Sequence, residues 1–359
     1  MALDLIYLAR GRPQRPRANL IQTLHTVEAL TLAGAHARLY LPPVPRTFDL
    51  RSFLSGMGVH APIDIRPRAS LHSKWGGWPF VLLHRNELKK AAAVYTRVPD
   101  FSLLLARTGC PHYLEVHDTA ELEDAGMVAP LLGAQAKGVL RGLTVITQAG
   151  RDALVAMGFD ASRIIVLPSG VDLSAFSRLR ALEAGDFADP HCLYVGRISR
   201  DRGLPLLEGI AAAGIEVTLI GPRDDEPHTR PPALHIEPAV PHAAVPDALA
   251  RGSIALMPYQ ADLRHAATIS PIKLFEAMAA GRLVLASDLP PIREVVCDGQ
   301  NGLLLPPDDP EAWVAAIRQV RTQPERAAEM AQAGRATAQR FGWSERARKL
   351  LEFLEVNHS

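Results

Sequence analysis

Ser270-Pro-Ile-Lys-Leu-Phe-Glu-Ala-Met-Ala-Ala-Gly-Arg-Leu-Val-Leu-Ala-Ser-Asp288 is the stretch on which the folding of this 359-residue chain turns. Ser270 is a good helix N-cap and Pro271 suits the first helical turn. Gly281 suits a left-handed C-cap. The stretch therefore predicts a helix over 272–280, stopped at Gly281, followed by an apolar strand over 283–286. A helix N-terminus at a strand end offers free backbone N–H groups and a partial positive charge, a setting suited to a diphosphate. Lys273 adds a full charge in the same turn. About one turn on, Glu276 can accept hydrogen bonds from two vicinal hydroxyls, as on a ribose. The same residues also describe an ordinary capped helix packed by Leu274, Phe275 and Met278, and spacing alone leaves both readings open.

Outward from this stretch the same alternation recurs. Short apolar runs at 3–8, 37–41, 93–95, 113–116, 143–147 and 164–167 predict strands, with helical patterns such as 19–32 and 151–157 between them. A second series follows at 193–195, 217–220, 254–257, 283–286 and 302–305, with helices over 246–250, 272–280 and 310–320. Continuous apolar strands separated by helices argue for parallel sheets covered on both faces. The expectation is two doubly wound α/β units. They divide as 1–173 and 191–342, joined by a charged, loop-like linker over 174–190. A final helix, capped by Ser344, lies within 343–359 and is expected to pack back on the first domain. The length fits two domains.

Bulk properties narrow the function. No apolar run reaches the ~18 residues of a membrane span, and the N-terminus reads as a buried strand, not a signal peptide. The three cysteines, Cys110, Cys192 and Cys297, are far apart, which suits a reducing cytoplasm and neither a metal cluster nor a disulfide framework. The net charge of +1 conceals an asymmetry. Residues 1–100 carry 14 Lys and Arg against 6 Asp and Glu, whereas the remainder carries 25 against 32. The first half is thus expected to meet an anionic partner, and a nucleic acid, an anionic membrane and a phosphorylated substrate all qualify. Arg66, Arg68, Lys74, Trp75, Trp78, Phe80, Lys89 and Lys90 interleave cations with aromatics, as a lipid headgroup interface does. A packed loop with solvated arginines explains the same pattern.

The stretch 270–288, continued by Pro291-Ile-Arg-Glu294 and Asp298-Gly-Gln-Asn-Gly-Leu-Leu304, resembles the donor-site signature of family 4 retaining glycosyltransferases. The likeness runs in register through most of the chain. It implies the GT-B fold, with two Rossmann-like domains facing across a cleft, the first binding acceptor and the second binding nucleotide-sugar. It also implies donor contacts at Ser270, Pro271, Ile272, Lys273 and Glu276, the last on the ribose. The family has an earlier glutamate at the position of Thr268, so the chain departs from the pattern where the sugar is usually touched. Arg197 and Arg202, which follow the strand 193–195, match two family cations that neutralise the leaving diphosphate, with Arg202 replacing a lysine. Gly11 matches a glycine-bearing loop near the donor phosphate, and His117 a strand-end histidine near the reacting sugar. Pro168–Asp172 matches a hinge turn.

Arg12, Arg15, Arg17 and Arg97 are candidates for binding an anionic acceptor, and a solvated basic loop is the alternative for the first three. Asn19 suits a helix N-cap or a polar site role. No Asp-x-Asp and no His/Cys ligand cluster is present in the sequence, so the expectation is transfer without a metal or other cofactor. The expected partners are a nucleoside-diphosphate hexose, a phosphorylated or lipid-linked acceptor and an anionic membrane surface, with no nucleic acid. The expected location is the cytoplasm, at the inner membrane face. A rival reading is a catalytically weak nucleotide-sugar-binding homologue that serves as a partner subunit. A nicotinamide dehydrogenase is disfavoured because no Gly-x-Gly-x-x-Gly follows the first strand of either domain.

Overall fold

The computed structural model describes residues 2–14, 17–72, 76–262 and 268–357. Arg15, Lys74 and Trp75, singled out above, lie outside the described residues. The chain forms two compact units, one of Met1–Ser169 with Trp343–Ser359 and the other of Gly170–Gly342.

The first unit is built on a parallel sheet of β1 (Asp4–Leu8), β2 (His36–Leu41), β3 (Asp64–Pro67), β4 (Ala93–Thr96), β5 (His112–Val116), β6 (Leu140–Val145) and β7 (Ile164–Val166), in the order β3-β2-β1-β4-β5-β6-β7. The central strands read as near-continuous apolar runs because both faces are covered; all five residues of β5 are buried. One face carries Leu8, Phe80, Val94, Phe101 and Leu105 in a single cluster. Helix α1 (Ala18–Leu32) follows β1, and α2 (Trp78–Leu83) follows β3.

The second unit repeats the plan with β8 (Cys192–Val195), β9 (Val217–Ile220), β10 (Leu234–Glu237), β11 (Ile254–Met257), β12 (Leu283–Ser287) and β13 (Leu303–Leu305), all parallel, in the order β10-β9-β8-β11-β12-β13. Helix α3 (Ile272–Ala279) leads into β12. Its end is a Schellman motif: Gly281 has φ +67°, its N–H bonds Met278 O at 2.9 Å, and Arg282 N–H bonds Ala277 O at 3.0 Å.

Several expectations are corrected. Two strands escaped the sequence reading, β3 and β10. Both are edge strands of mixed composition, Asp-Ile-Arg-Pro and Leu-His-Ile-Glu, and are only half buried, so neither carries an apolar run. The stretch 174–190 is not a linker. Phe176, Leu182 and Phe187 are buried in cores of the second unit, and the chain crosses between Ser169 and Gly170 instead. Asn19 is not an N-cap, because α1 begins at Ala18 with Arg17 in the cap position and no side-chain cap. Ser270 is likewise one residue early, since Pro271 holds the cap position of α3. Ser344 lies inside the C-terminal helix α4 (Trp343–Val356), not at its cap.

Helix α4 belongs to the first unit. Leu350 and Leu354 are fully buried, Phe353 meets the edge of Tyr113 at 6.1 Å, and the Tyr113 hydroxyl donates to Leu354 O at 3.0 Å.

After β8 the chain makes a 3-10 turn, Arg200–Arg202, and then Gly203 in a left-handed conformation, φ +82°. A Cβ on Gly203 would lie 2.1 Å from the Pro258 carbonyl oxygen, which is backbone and cannot swing aside. Gly203→Ala is expected to lower the urea midpoint, with a cost of about 1–3 kcal/mol or more from strain and overlap together.

Candidate functional site

In an open parallel sheet the ligand site lies beyond the carboxyl ends of the strands, where the strand order reverses. Those points are the β1/β4 pair in the first unit and the β8/β11 pair in the second. The candidate residues gather there.

In the second unit, Tyr194 is buried near the end of β8, and its hydroxyl donates to Arg197 O at 2.7 Å. Lys273, in the first turn of α3, donates from Nζ to the same hydroxyl at 2.8 Å. Its ammonium lies 4.1 Å from the Tyr194 ring centre and 4.7 Å from that of Tyr259, just past β11. The Arg202 guanidinium lies 5.5 Å from the Tyr259 ring centre. Aromatic faces attract cations, so the two rings hold the charges in place without neutralising them. Arg197 reaches Asp224 and Asp201, each at 3.0 Å, and Arg202 comes within 3.5 Å of Asp201. Burial, and then repulsion from Arg202 and Arg197, hold the Lys273 ammonium well below its ordinary pKa. A cation penalised in this way gains from the arrival of an anion.

Glu276, nearly buried on α3, accepts from His242 Nε2 at 2.6 Å through Oε1. His242 opens the turn His242–Ala244, which follows β10. Thr268 is buried, and Ser270, Pro271 and Ile272 are partly exposed at the start of α3.

In the first unit a pocket of about 280 Å³ opens at the carboxyl ends of β1, β4 and β5. Its lining includes Arg10, Gly11, Asn19, Arg97, Glu115 and His117. Gly11 lets the loop pass close to α1, since a Cβ would lie 2.7 Å from Leu20 Cδ1. Arg10 donates to Asp100 at 2.5 Å and stacks over Phe101 at 4.8 Å. Arg97 donates to Asn19 O at 3.1 Å. Glu115 is 1% exposed. Burial alone would raise its pKa, but Arg346, His117 and Arg97 outweigh that and hold it well below the usual carboxylate range. His117 Nε2 contacts Glu115 Oε1 at 2.5 Å. Burial and Arg97 push His117 down to about 4 against the opposing pull of Glu115.

The structure thus brings Gly11, Asn19, Arg97 and His117 to one pocket, and Arg197, Arg202, Lys273 and Glu276 to the matching edge of the other sheet. Arg12 and Arg17 are exposed and outside the pocket lining. The basic-aromatic stretch divides. Phe80 is a core residue, and Arg66 and Arg68 fold over Tyr40, Arg66 also pairing with Asp64 at 2.7 Å. Trp78, Lys89 and Lys90 face outward. Sequence reasoning missed Tyr194, Tyr259, Glu115 and the pairing of His242 with Glu276. A carboxylate inside the apolar run Tyr113-Leu-Glu-Val116 was a legible signal, because a charge buried in a sheet needs a partner. The partner of Glu276 left no such trace.

Residues 189–323, within the second unit, match the family described as Glycosyl transferases group 1. The chain is 30% identical over 188 residues to the phosphatidyl-myo-inositol mannosyltransferase of Mycolicibacterium smegmatis, covering 49% of this chain and 46% of that protein. It is 26% identical over 238 residues to the D-inositol 3-phosphate glycosyltransferase of Paenarthrobacter aurescens, covering 58% and 56%. The chain spans about half the length of these curated relatives. Among solved structures, Anabaena HepE in complex with UDP superposes with a TM-score of 0.74 at 16% identity, covering 99% of this chain and 100% of that one. The sucrose-phosphate synthase of Thermosynechococcus elongatus does so with a TM-score of 0.73 at 16% identity, covering 99% and 98%. The fold is GT-B, two Rossmann-like units.

A histidine buried as the neutral base makes stability depend on pH. The folded pKa of about 4 lies below the unfolded value of 6.5 for both His117 and the fully buried His112. As pH falls through 6.5 the unfolded chain gains protons that the folded chain refuses, so stability drops until pH 4. The carboxylate at Glu115 adds to this only below 4.5. Moving from pH 7 to pH 5 is expected to cost about 2 kcal/mol per such histidine. His117→Gln should show a smaller loss than the native chain when urea midpoints are compared at the two pH values.

Proposed function

We propose that the chain is a retaining, metal-independent glycosyltransferase that moves a hexose from a nucleoside-diphosphate sugar to a phosphorylated or lipid-linked acceptor. The observation that carries this reading is the group of three cations, Lys273, Arg197 and Arg202, at the strand ends of the domain matched as glycosyl transferases group 1. Two carboxylates, Asp201 and Asp224, offset them only in part. A diphosphate completes the balance, received by the first turn of α3 and by Lys273. As the anomeric bond breaks, charge builds on the β-phosphate, and cations already in place stabilise it there without reorganising. That is the work a metal ion does in other transferases. The departing diphosphate then accepts the proton of the attacking hydroxyl on the face it leaves, which retains the anomeric configuration.

The ribose hydroxyls donate to Glu276, whose carboxylate keeps acceptor capacity beyond the bond from His242. Thr268 offers the sugar a neutral hydroxyl in place of a carboxylate. On the acceptor side, His117 hydrogen-bonds a sugar hydroxyl and Arg97 draws an anionic group. The relatives named for phosphatidyl-myo-inositol and D-inositol 3-phosphate favour a phosphorylated acceptor, and the cationic first hundred residues suit one.

The same reading places the protein at the inner membrane face. Among the described residues no helix is long and apolar enough to cross a membrane. Helix α2 nevertheless exposes Trp78, Leu82 and Leu83, at 55%, 55% and 76%, close in sequence to the exposed Lys89 and Lys90. Apolar side chains beside ammonium groups suit the headgroup boundary of an anionic bilayer.

A thermal-shift screen of sugar nucleotides tests the donor. A true donor at 100 times its Kd is expected to stabilise the protein by about 2.7 kcal/mol. Glu276→Ala should weaken its binding by about 1.5–3 kcal/mol, the usual contribution of hydrogen bonds to a charged group. Arg202→Ala should lower kcat about 100- to 1000-fold. NMR of the product should show the donor's anomeric configuration, and an inverted product overturns retention. Binding without turnover of any donor would favour the partner-subunit reading.

Sedimentation with anionic vesicles at low salt tests the membrane contact. Leu83→Ser should weaken binding about tenfold or more, given about 1.5–3 kcal/mol for burying such a side chain. No sedimentation of the native chain removes the membrane reading.

A further inference from the structure

The Tyr194 hydroxyl makes two hydrogen bonds, and together they tie α3 to the loop that follows β8. It donates its hydrogen to Arg197 O at 2.7 Å and accepts from Lys273 Nζ at 2.8 Å. The Arg197 carbonyl belongs to pinned backbone. On one side of it Gly196 N–H donates to Ile220 O at 2.9 Å, and on the other Ile198 N–H donates to Pro222 O at 2.8 Å. Gly221 presses against the same segment, since a Cβ there would fall 1.9 Å from Gly196 O. Tyr194 is itself 1% exposed and packed in the core of the second unit. The hydroxyl is therefore anchored both through its ring and through its hydrogen.

The Lys273 ammonium, in contrast, ends a flexible four-carbon stem. The rings of Tyr194 and Tyr259 attract it, at 4.1 and 4.7 Å from their centres, but attraction to a ring face does not choose one orientation. The hydroxyl does. Because its hydrogen is given to Arg197 O, it offers Lys273 a lone pair, and the ammonium donates to it. That bond takes one of three donors and restricts the directions of the other two. Lys273 also rests against the loop, where a Cβ on Gly196 would lie 3.4 Å from both its Cδ and its Nζ. The charge in the first turn of α3 is thus placed by reference to the backbone that carries Arg197.

We propose that Tyr194 is a positioning residue: by bridging the Arg197 carbonyl and Lys273 Nζ, its hydroxyl sets the Lys273 ammonium against the loop of Arg197 before a diphosphate arrives. The inference deepens the transfer reading and rests on it for the diphosphate. An ammonium freed from the hydroxyl can still find a bound phosphate, so the ground state loses little. The charge that builds on the leaving diphosphate is different, because a cation already in place stabilises it without reorganising. The hydroxyl therefore matters more to kcat than to binding.

Calorimetry of the full-length chain with inorganic pyrophosphate tests the bridge without any sugar donor. Tyr194→Phe keeps both ring faces and removes the hydroxyl alone. It should weaken pyrophosphate binding about 2- to 10-fold, the contribution of an ordinary hydrogen bond. In the Lys273→Met background the same substitution should change binding by less than about twofold, because the group through which it acts is gone. Equal weakening in both backgrounds, or none in the native one, overturns the proposal, and so does a native chain that binds no pyrophosphate. If Tyr194→Phe does not fold, 3-fluorotyrosine at position 194 keeps the hydroxyl. Its ¹⁹F signal should move in Lys273→Met and on addition of pyrophosphate, and failure of either shift overturns the bridge. With a donor that the chain turns over, Tyr194→Phe should lower kcat about 10- to 100-fold and change KM by less than about threefold. A lowered urea midpoint with kcat unchanged marks a structural hydroxyl and overturns the proposal. Coupled pyrophosphate binding in a chain that turns over no sugar nucleotide supports the bridge and overturns the transfer reading alone. Turnover with equal effects in both backgrounds does the reverse.

Discussion

Everything at the candidate site depends on the parallel direction of the strands. Because each strand runs the same way as its neighbours, all strands of a sheet end at one edge. The order of strands also places the first strand of each unit in the interior, with later strands added on either side. Residues just beyond β1, β4 and β5 are thereby gathered at one place, as are those beyond β8 and β11, whatever their separation in sequence. Tyr194 and Lys273 are 79 residues apart and share a hydrogen bond; Gln22 and Glu115 are 93 apart and do the same. No local sequence rule could have paired them.

The two edges treat buried charge in opposite ways. In the first unit the anion at Glu115 takes hydrogen bonds from Gln22, Tyr95 and His117 and lies 3.0 Å from the Arg346 guanidinium, and a charge paired on several sides is rigid. It holds Gln22, Tyr95, His117 and Arg346 in fixed relation, so the pocket wall is set before any ligand arrives. In the second unit the cation at Lys273 meets aromatic faces and a hydroxyl, with other cations nearby. Such a charge is held in position but not satisfied, which is the condition of a site built to receive an anion.

Legibility varied with the physical origin of each feature. Lys273 and Glu276 stood out because they lie on a helix whose ends are marked locally by Pro271 and Gly281, whereas Arg197 and Arg202 stood out only through the family resemblance. The edge strands β3 and β10 did not stand out, since half-buried edges need no apolar run. The stretch 174–190 read as a linker because its polar residues outnumber its apolar ones, yet three of the latter, Phe176, Leu182 and Phe187, are enough to dock it on the second unit. Glu115 was visible as an oddity, a charge within an apolar strand, but its partner Arg346 lies in a helix near the other end of the chain. The basic-aromatic stretch misled in part, because composition does not distinguish Phe80, which packs inward, from Trp78, which faces out.

By itself the sequence determined the alternation of strands and helices, the parallel architecture that follows from it, and the stop of α3 at Gly281. These are properties of short segments: apolar periodicity, backbone freedom and capping chemistry act over a few residues. The tertiary structure alone decided which charges meet. Arg346 on Glu115, His242 on Glu276 and Lys273 between Tyr194 and Tyr259 are pairings across long separations, set by strand order and by how the last helix packs. The physical reason is that electrostatic and packing energies depend on distance in space, and strand order converts distance along the chain into proximity in ways that no window of sequence contains.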